Sequence, residues 1–138
     1  MELRRTFGVD GLLRPETAAG IYEHCSKLLR TREFSVRSII RKYNVDALCT
    51  TDDPVDSLEH HRTIRESGFE TLVAPTFRPD RALDAHLPKV FNEWRDRLEV
   101  ASGVRADSFG WFIEGLKRRH RFFHEQEGRL SDYGIEIP

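Results

Sequence analysis

Cysteine is scarce in this sequence: 138 residues hold two, Cys25 and Cys49, with no C-x-x-C pair. That argues against a disulfide framework, fits a reducing, cytoplasmic compartment, and predicts both thiols as small buried hydrophobes. Long apolar runs are also missing. None approaches the roughly 18 residues needed to cross a bilayer, and the opening MELRRTFGVD has no apolar stretch of the kind a secretory signal requires. No charge sign dominates, since 22 Lys and Arg face 23 Asp and Glu for a net charge of −1. A nucleic-acid binder would normally carry a basic excess. Internal repeats, low-complexity tracts and linkers are lacking as well. What is present is 38% hydrophobic and 33% charged residues, the balance of a globular chain of one domain or less.

Apolar periodicity lays out the elements. Pro15 opens a helix carrying Ala18, Ile21, Tyr22, Cys25 and Leu28, weakened at Gly20. Ser35 caps a short helix with Val36, Ile39, Ile40 and Tyr43 on one face, and Asn44 stops it. Residues 45–50 read as a strand, a helix runs to about Ser67 with Gly68 closing it, and residues 70–74 read as a second strand. Two longer helices follow, with apolar stripes Leu87, Val90, Phe91, Trp94, Leu98, Ala101 and Phe109, Phe112, Ile113, Leu116, His120, Phe123. A third strand begins near Arg129. Strands alternating with helices predict an α/β fold with about three parallel strands and flanking helices. Three strands are few for such a sheet, whose faces and edges need cover, so part of its apolar surface is expected to lie bare.

In parallel α/β folds ligands gather at the carboxyl ends of strands. Three loops of unusual composition stand there: Thr50-Thr51-Asp52-Asp53-Pro54, Thr76-Phe77-Arg78-Pro79-Asp80 and Ser131-Asp132-Tyr133-Gly134. Each also has a plain structural reading. Asp53 could cap the following helix, with Pro54 in its first position and Asp56 in its first turn. Arg78-Pro79-Asp80 could be a turn with an exposed arginine, and Ser131-Asp132 a turn or a cap. His60 and His61 lack acidic or cysteine partners at ligand spacing. His120 and His124 share a helix face but have no third ligand, so a satisfied core or subsurface histidine is the better reading for them. Lys117, Arg118, Arg119 and Arg121 read as a solvated basic face, and Trp94 and Trp111 as packing residues. No nucleophile triad, phosphate-binding glycine loop or paired-carboxylate site is present.

The same loops carry a family resemblance. Cys49-Thr50-Thr51-Asp52-Asp53-Pro54-Val55-Asp56-Ser57-Leu58-Glu59-His60-His61, then Thr76-Phe77-Arg78-Pro79-Asp80, Lys117-Arg118-Arg119-His120 and Ser131-Asp132, with Glu2-Leu3-Arg4-Arg5 and Phe34-Ser35-Val36-Arg37 ahead of them, resemble the uronate (glucuronate) isomerases of the amidohydrolase superfamily. The resemblance implies a distorted (β/α)8 TIM barrel and the aldose–ketose isomerisation of hexuronates in glucuronate catabolism, an intramolecular oxidoreduction. It also implies a divalent metal, usually zinc, held by a His-x-His pair after the first strand and an Asp after the last. Arg78 matches the arginine that the resemblance implies contacts the substrate at its carboxylate. Thr51, Asp52, Asp53, Asp80, Ser131 and Asp132 match the signature at the barrel mouth. Tyr133 stands where the family motif has His, and a phenol does not replace an imidazole as a neutral-pH base or metal ligand.

The sequence has neither the His-x-His pair nor the terminal-strand Asp, so the expectation is a single incomplete barrel, an internal fragment. Residues 1–44 would form a helical lead-in and residues 45–138 the βα units. No metal ligands are expected within it, and the isolated chain is expected to be inactive. The partner expected for the full-length enzyme is a hexuronate, with neither nucleic acid nor membrane, and the chain could be a homo-oligomer. The alternative is a non-catalytic remnant, or a subunit complementing another chain.

Overall fold

The computed structural model describes residues 2–105 and 107–134. The chain forms two compact units, Met1–Val45 and Asp46–Pro138. The first is helical: α1 (Glu2–Phe7), α2 (Pro15–Leu29), a single 3-10 turn at Arg32–Phe34, and α3 (Val36–Lys42). Pro15 starts α2 and Thr17 accepts the Arg14 N–H at 3.0 Å. Ser35 caps α3 by accepting the Ser38 N–H, and Asn44 ends it with φ of 49°. Stacked Phe7 and Phe34 rings and a 2.6 Å bond between the Thr6 and Tyr43 hydroxyls tie α1 to the rest of this unit.

In the second unit β1 (Ala47–Cys49) is followed by α4 (Glu59–Glu66), β2 (Leu72–Ala74), β3 (Thr76–Phe77), a 3-10 stretch at Asp80–His86, α5 (Pro88–Ser102), α6 (Phe109–Glu125) and β4 (Leu130–Ser131). All pairings are parallel. Ala47, Leu48 and Cys49 of β1 face Leu72, Val73 and Ala74 of β2, and Thr76 and Phe77 of β3 face Leu130 and Ser131 of β4. An Asp52–Phe77 bridge extends the first pairing past Cys49. The second expected strand therefore runs on through a break at Pro75, which has no N–H to give a ladder, and forms the middle of three parallel runs. At the turn from α6 into β4, a Cβ on Gly128 would stand 2.8 Å from the Phe123 carbonyl oxygen and 2.9 Å from that of Pro75, an approach only glycine permits.

The helices pack in two connected clusters. Trp94 and Leu98 of α5 meet Phe112 of α6, with Val55, Phe91 and Ile113 against them. Leu58, Phe77 and Phe123 form the second cluster, and Leu116 touches both. Leu98 and Trp94 are almost wholly buried, each contributing about 2–3 kcal/mol of apolar burial. The buried stripe of α6 is Phe112, Gly115, Arg119 and Phe123, rotated from the expected one. Gly115 lets α5 approach, since a Cβ there would lie 3.2 Å from Ser102 Oγ. On the strands Leu72 and Leu130 stay 44% and 56% exposed.

Four expectations are corrected. Cys49 is exposed and Cys25 only half-buried: Ala47 and Cys49 share an exposed side of β1, and α2 has no fully buried residue. Trp111 is exposed on the outer side of α6. His120 is also exposed, at the edge of the Phe77 ring with centroids 5.1 Å apart, and His124 is exposed beside Arg129. Arg119 belongs to the core rather than to a solvated basic face.

Candidate functional site

The middle strand run brings the three sequence loops to one end. At the end of β3 the Arg78 N–H donates to the Asp52 carbonyl at 3.0 Å, and the Asp132 N–H donates to the Phe77 carbonyl at 3.2 Å. The Ser131 hydroxyl donates to the same Phe77 carbonyl at 3.0 Å. Asp52, Arg78 and Asp132 thus share the carboxyl end of the strands, the end at which parallel α/β folds gather their ligands.

Arg78 does not stand as a free cation. Its Nε donates to Asp132 Oδ1 at 2.9 Å and its terminal nitrogen to Oδ2 at 2.6 Å, a planar two-point pair. The side chains are 37% and 45% exposed, so water screens the attraction. The hydrogen bond raises the guanidinium pKa and holds the Asp132 carboxyl below its ordinary range. Two of the five guanidinium N–H donors are spent on Asp132. Asp80 lies beside them and Asp80 Oδ1 accepts the Gly134 N–H at 3.0 Å, closing the third loop onto the second. Tyr133, within that loop, is exposed.

The two aspartates of the first loop have different tasks. Asp52 Oδ2 accepts the Thr50 hydroxyl at 2.6 Å and the Thr76 N–H at 3.3 Å. Asp53 faces the helices, taking the Trp94 Nε1–H at 2.8 and 3.0 Å and the Val55 N–H at 3.0 Å, with Arg81 Nε at 3.7 Å. It does not cap α4. Residues 53–56 close a turn of their own, with the Asp56 N–H on the Asp53 carbonyl at 2.9 Å. The cap position falls instead to Leu58, at φ of 55°, its side chain anchored between Phe77 and Phe123. Thr51 is exposed.

Two contributors escaped sequence reasoning. Buried Arg119 donates from Nε to the Pro54 carbonyl at 2.6 Å and from its terminal nitrogens to Asp56 at 2.7 Å and Ala101 at 3.2 Å. It thereby fastens the first loop to both long helices. Burial pushes its pKa down, and nearby Asp56 opposes this. Buried His61 meets the Thr50 hydroxyl at 2.7 Å. Its spacing three residues after Leu58 and three before Ile64 was the available signal.

The donors here do not fit a divalent metal. Among the described residues no group of three or more His, Cys, Asp or Glu could hold an ion. Asp132 is committed to Arg78, and the His61 Nε2 to Thr50.

The family description Glucuronate isomerase matches residues 1–138. Uronate isomerases of Solibacter usitatus and Bacteroides thetaiotaomicron are each 47% identical to this chain, over 98% and 99% of it, and in each the match spans 29% of the relative. Among solved structures, the uronate isomerase of Thermotoga maritima superposes with a TM-score of 0.84 at 32% identity, covering 96% of this chain and 29% of that one. The glucuronate isomerase of Caulobacter crescentus gives 0.86 at 28% identity, with 96% and 28% covered. The chain therefore spans under a third of the length of these relatives. With the family matched along its whole length, the chain belongs to the glucuronate isomerase family.

Proposed function

We propose that this chain is an internal segment of a uronate isomerase and supplies the part of the site that grips the substrate carboxylate. Its parallel runs would be neighbouring strands of a (β/α)8 barrel, with the Arg78 end as the mouth. The reaction would convert D-glucuronate to D-fructuronate, or D-galacturonate to D-tagaturonate. A proton leaves C2 and one is added at C1 through an enediol, while the O2 hydroxyl loses its proton and O1 gains one. Nothing is oxidised or reduced overall.

The observation that carries the reading is the Arg78–Asp132 pair at the strand ends. Asp132 fixes the guanidinium plane and leaves three N–H donors for the C6 carboxylate. An ion-paired carboxylate of lowered pKa is a weak base, so Asp132 orients rather than moves the C2 proton. Asp52 and Ser131 set the backbone beneath the pair, Asp53 and Asp80 hold the flanking loops, and Thr51 lies on the rim. The metal of the complete enzyme would polarise the sugar oxygens, and its ligands would come from outside these residues.

The test is hexuronate turnover in the complete isomerase carrying this segment. Arg78→Ala is expected to lower kcat/KM roughly 10–150-fold, the range for losing a charge-assisted bond of about 1.5–3 kcal/mol. Arg78→Lys should recover only part, because a point charge does not reproduce the planar fork. Wild-type kinetics in Arg78→Ala would remove Arg78 from the site.

A further inference from the structure

We propose that His61 and Thr50 are positioning residues for Arg78, acting through Asp52; the inference rests on the reading of Arg78 given above. The His61 and Asp52 side chains are only 8% and 13% exposed. Thr50 has one hydroxyl proton, and Asp52 Oδ2 accepts it at 2.6 Å, nearer than the other acceptor, the Ala74 carbonyl at 3.3 Å. The 2.7 Å contact between Thr50 Oγ1 and His61 Nε2 must then run from the imidazole N–H to the hydroxyl oxygen, which places a proton on Nε2. A directed chain results: His61 on α4 donates to Thr50 at the end of β1, and Thr50 donates to Asp52.

Asp52 passes the constraint on. Its carboxylate takes the Thr76 N–H at 3.3 Å, its own N–H donates to the Thr76 carbonyl at 3.1 Å, and its carbonyl receives the Arg78 N–H at 3.0 Å. The backbone from which Arg78 projects is therefore set by a residue whose side chain is held from below. An apolar contact between α4 and β1 would pack as well, but it has no direction. A chain of hydrogen bonds fixes the orientation of Asp52, and with it the Arg78 peptide. A guanidinium that must meet Asp132 and a substrate carboxylate together is sensitive to such a constraint.

The test uses the complete isomerase with D-glucuronate. Thr50→Val keeps the side-chain shape and removes the hydroxyl, whereas Thr50→Ser keeps the hydroxyl. Thr50→Val is expected to raise KM about 5-fold, the share of one net hydrogen bond. Its kcat should stay within about twofold, because a grip remote from C1 and C2 serves ground and transition states alike. Thr50→Ser should return KM to near wild type. In an Arg78→Ala background Thr50→Val should change KM no further, since the group it positions is gone.

Equal KM values for the Val and Ser variants, or an undiminished Thr50→Val effect without Arg78, overturn the proposal. Wild-type kinetics in Arg78→Ala alone refute the underlying reading, and the proposal with it. Should Thr50→Val not fold, His61→Phe and His61→Gln serve as the broken and rescued pair, the Gln amide donating in place of Nε2–H. Failure of both broken variants to fold would make the chain a stability element and overturn the positioning role.

Discussion

Replacing Arg119 by Met keeps an apolar stem inside α6 and removes the guanidinium. Three main-chain carbonyls lose their donor: Pro54 at 2.6 Å, Asp56 at 2.7 Å and Ala101 at 3.2 Å. The two short bonds are charge-assisted and worth about 1.5–3 kcal/mol each. The longer one contributes little. Lost as well is a cation held 4.1 Å from the Phe122 ring centroid, worth about 1 kcal/mol. Against this, the cost of burying the charge is recovered, and the Pro54–Asp56 turn can rehydrate in part. The balance is a loss of about 3–5 kcal/mol, or ~10–20 °C in Tm for a chain of this size. Urea unfolding followed by tryptophan fluorescence measures it. Arg118→Met is the control, an exposed position one residue away whose change should stay within about 0.5 kcal/mol. A loss below about 1 kcal/mol for Arg119→Met would refute the idea that this side chain fastens the first loop to the helices.

Trp94→Phe should cost about 2–4 kcal/mol, because it removes the indole donor from Asp53 in a buried position; urea unfolding followed at the remaining Trp111 reads it, and a loss under about 1 kcal/mol would count against the bond. The Asp132 carboxyl, held down by the Arg78 hydrogen bond, should titrate below about pH 3.9 by carboxyl-carbon NMR. With the folded pKa depressed, the pair's contribution is present above the ordinary carboxylate range and disappears as pH falls through the lowered value; a midpoint at or above about 3.9 would contradict the pairing. The 138-residue chain expressed alone, which spans 29% of its curated relatives, should convert no D-glucuronate with zinc present. Arg78 would there meet its ligand in open water, where it is screened, and ketose formation above a no-protein blank, lost in Arg78→Ala, would overturn this.

What was legible in the sequence was whatever local chemistry dictates. Pro15, Ser35, Asn44 and Gly68 punctuate the helices where expected, and the apolar runs around Leu48, Val73 and Leu130 became the parallel strands. The shared end of the three loops followed from strand direction alone. Asp53 misled because Asp-Pro followed by an acidic residue imitates a helix start, while the true start depends on a left-handed Leu58 that no propensity signals. Arg119 was hidden in a run of basic residues. Its partners are carbonyls of residues 54, 56 and 101, and main-chain acceptors leave no mark in a sequence. The Arg78–Asp132 pair spans 54 positions and closes only when β3 and β4 align.

The most direct measurement is a crystal structure of the complete isomerase carrying this segment with a hexuronate bound. The expected result is the C6 carboxylate within about 2.7–3.2 Å of the Arg78 donors not used by Asp132, with the Arg78–Asp132 pair intact. A carboxylate held by other residues, with Arg78 beyond hydrogen-bond reach, would contradict the account.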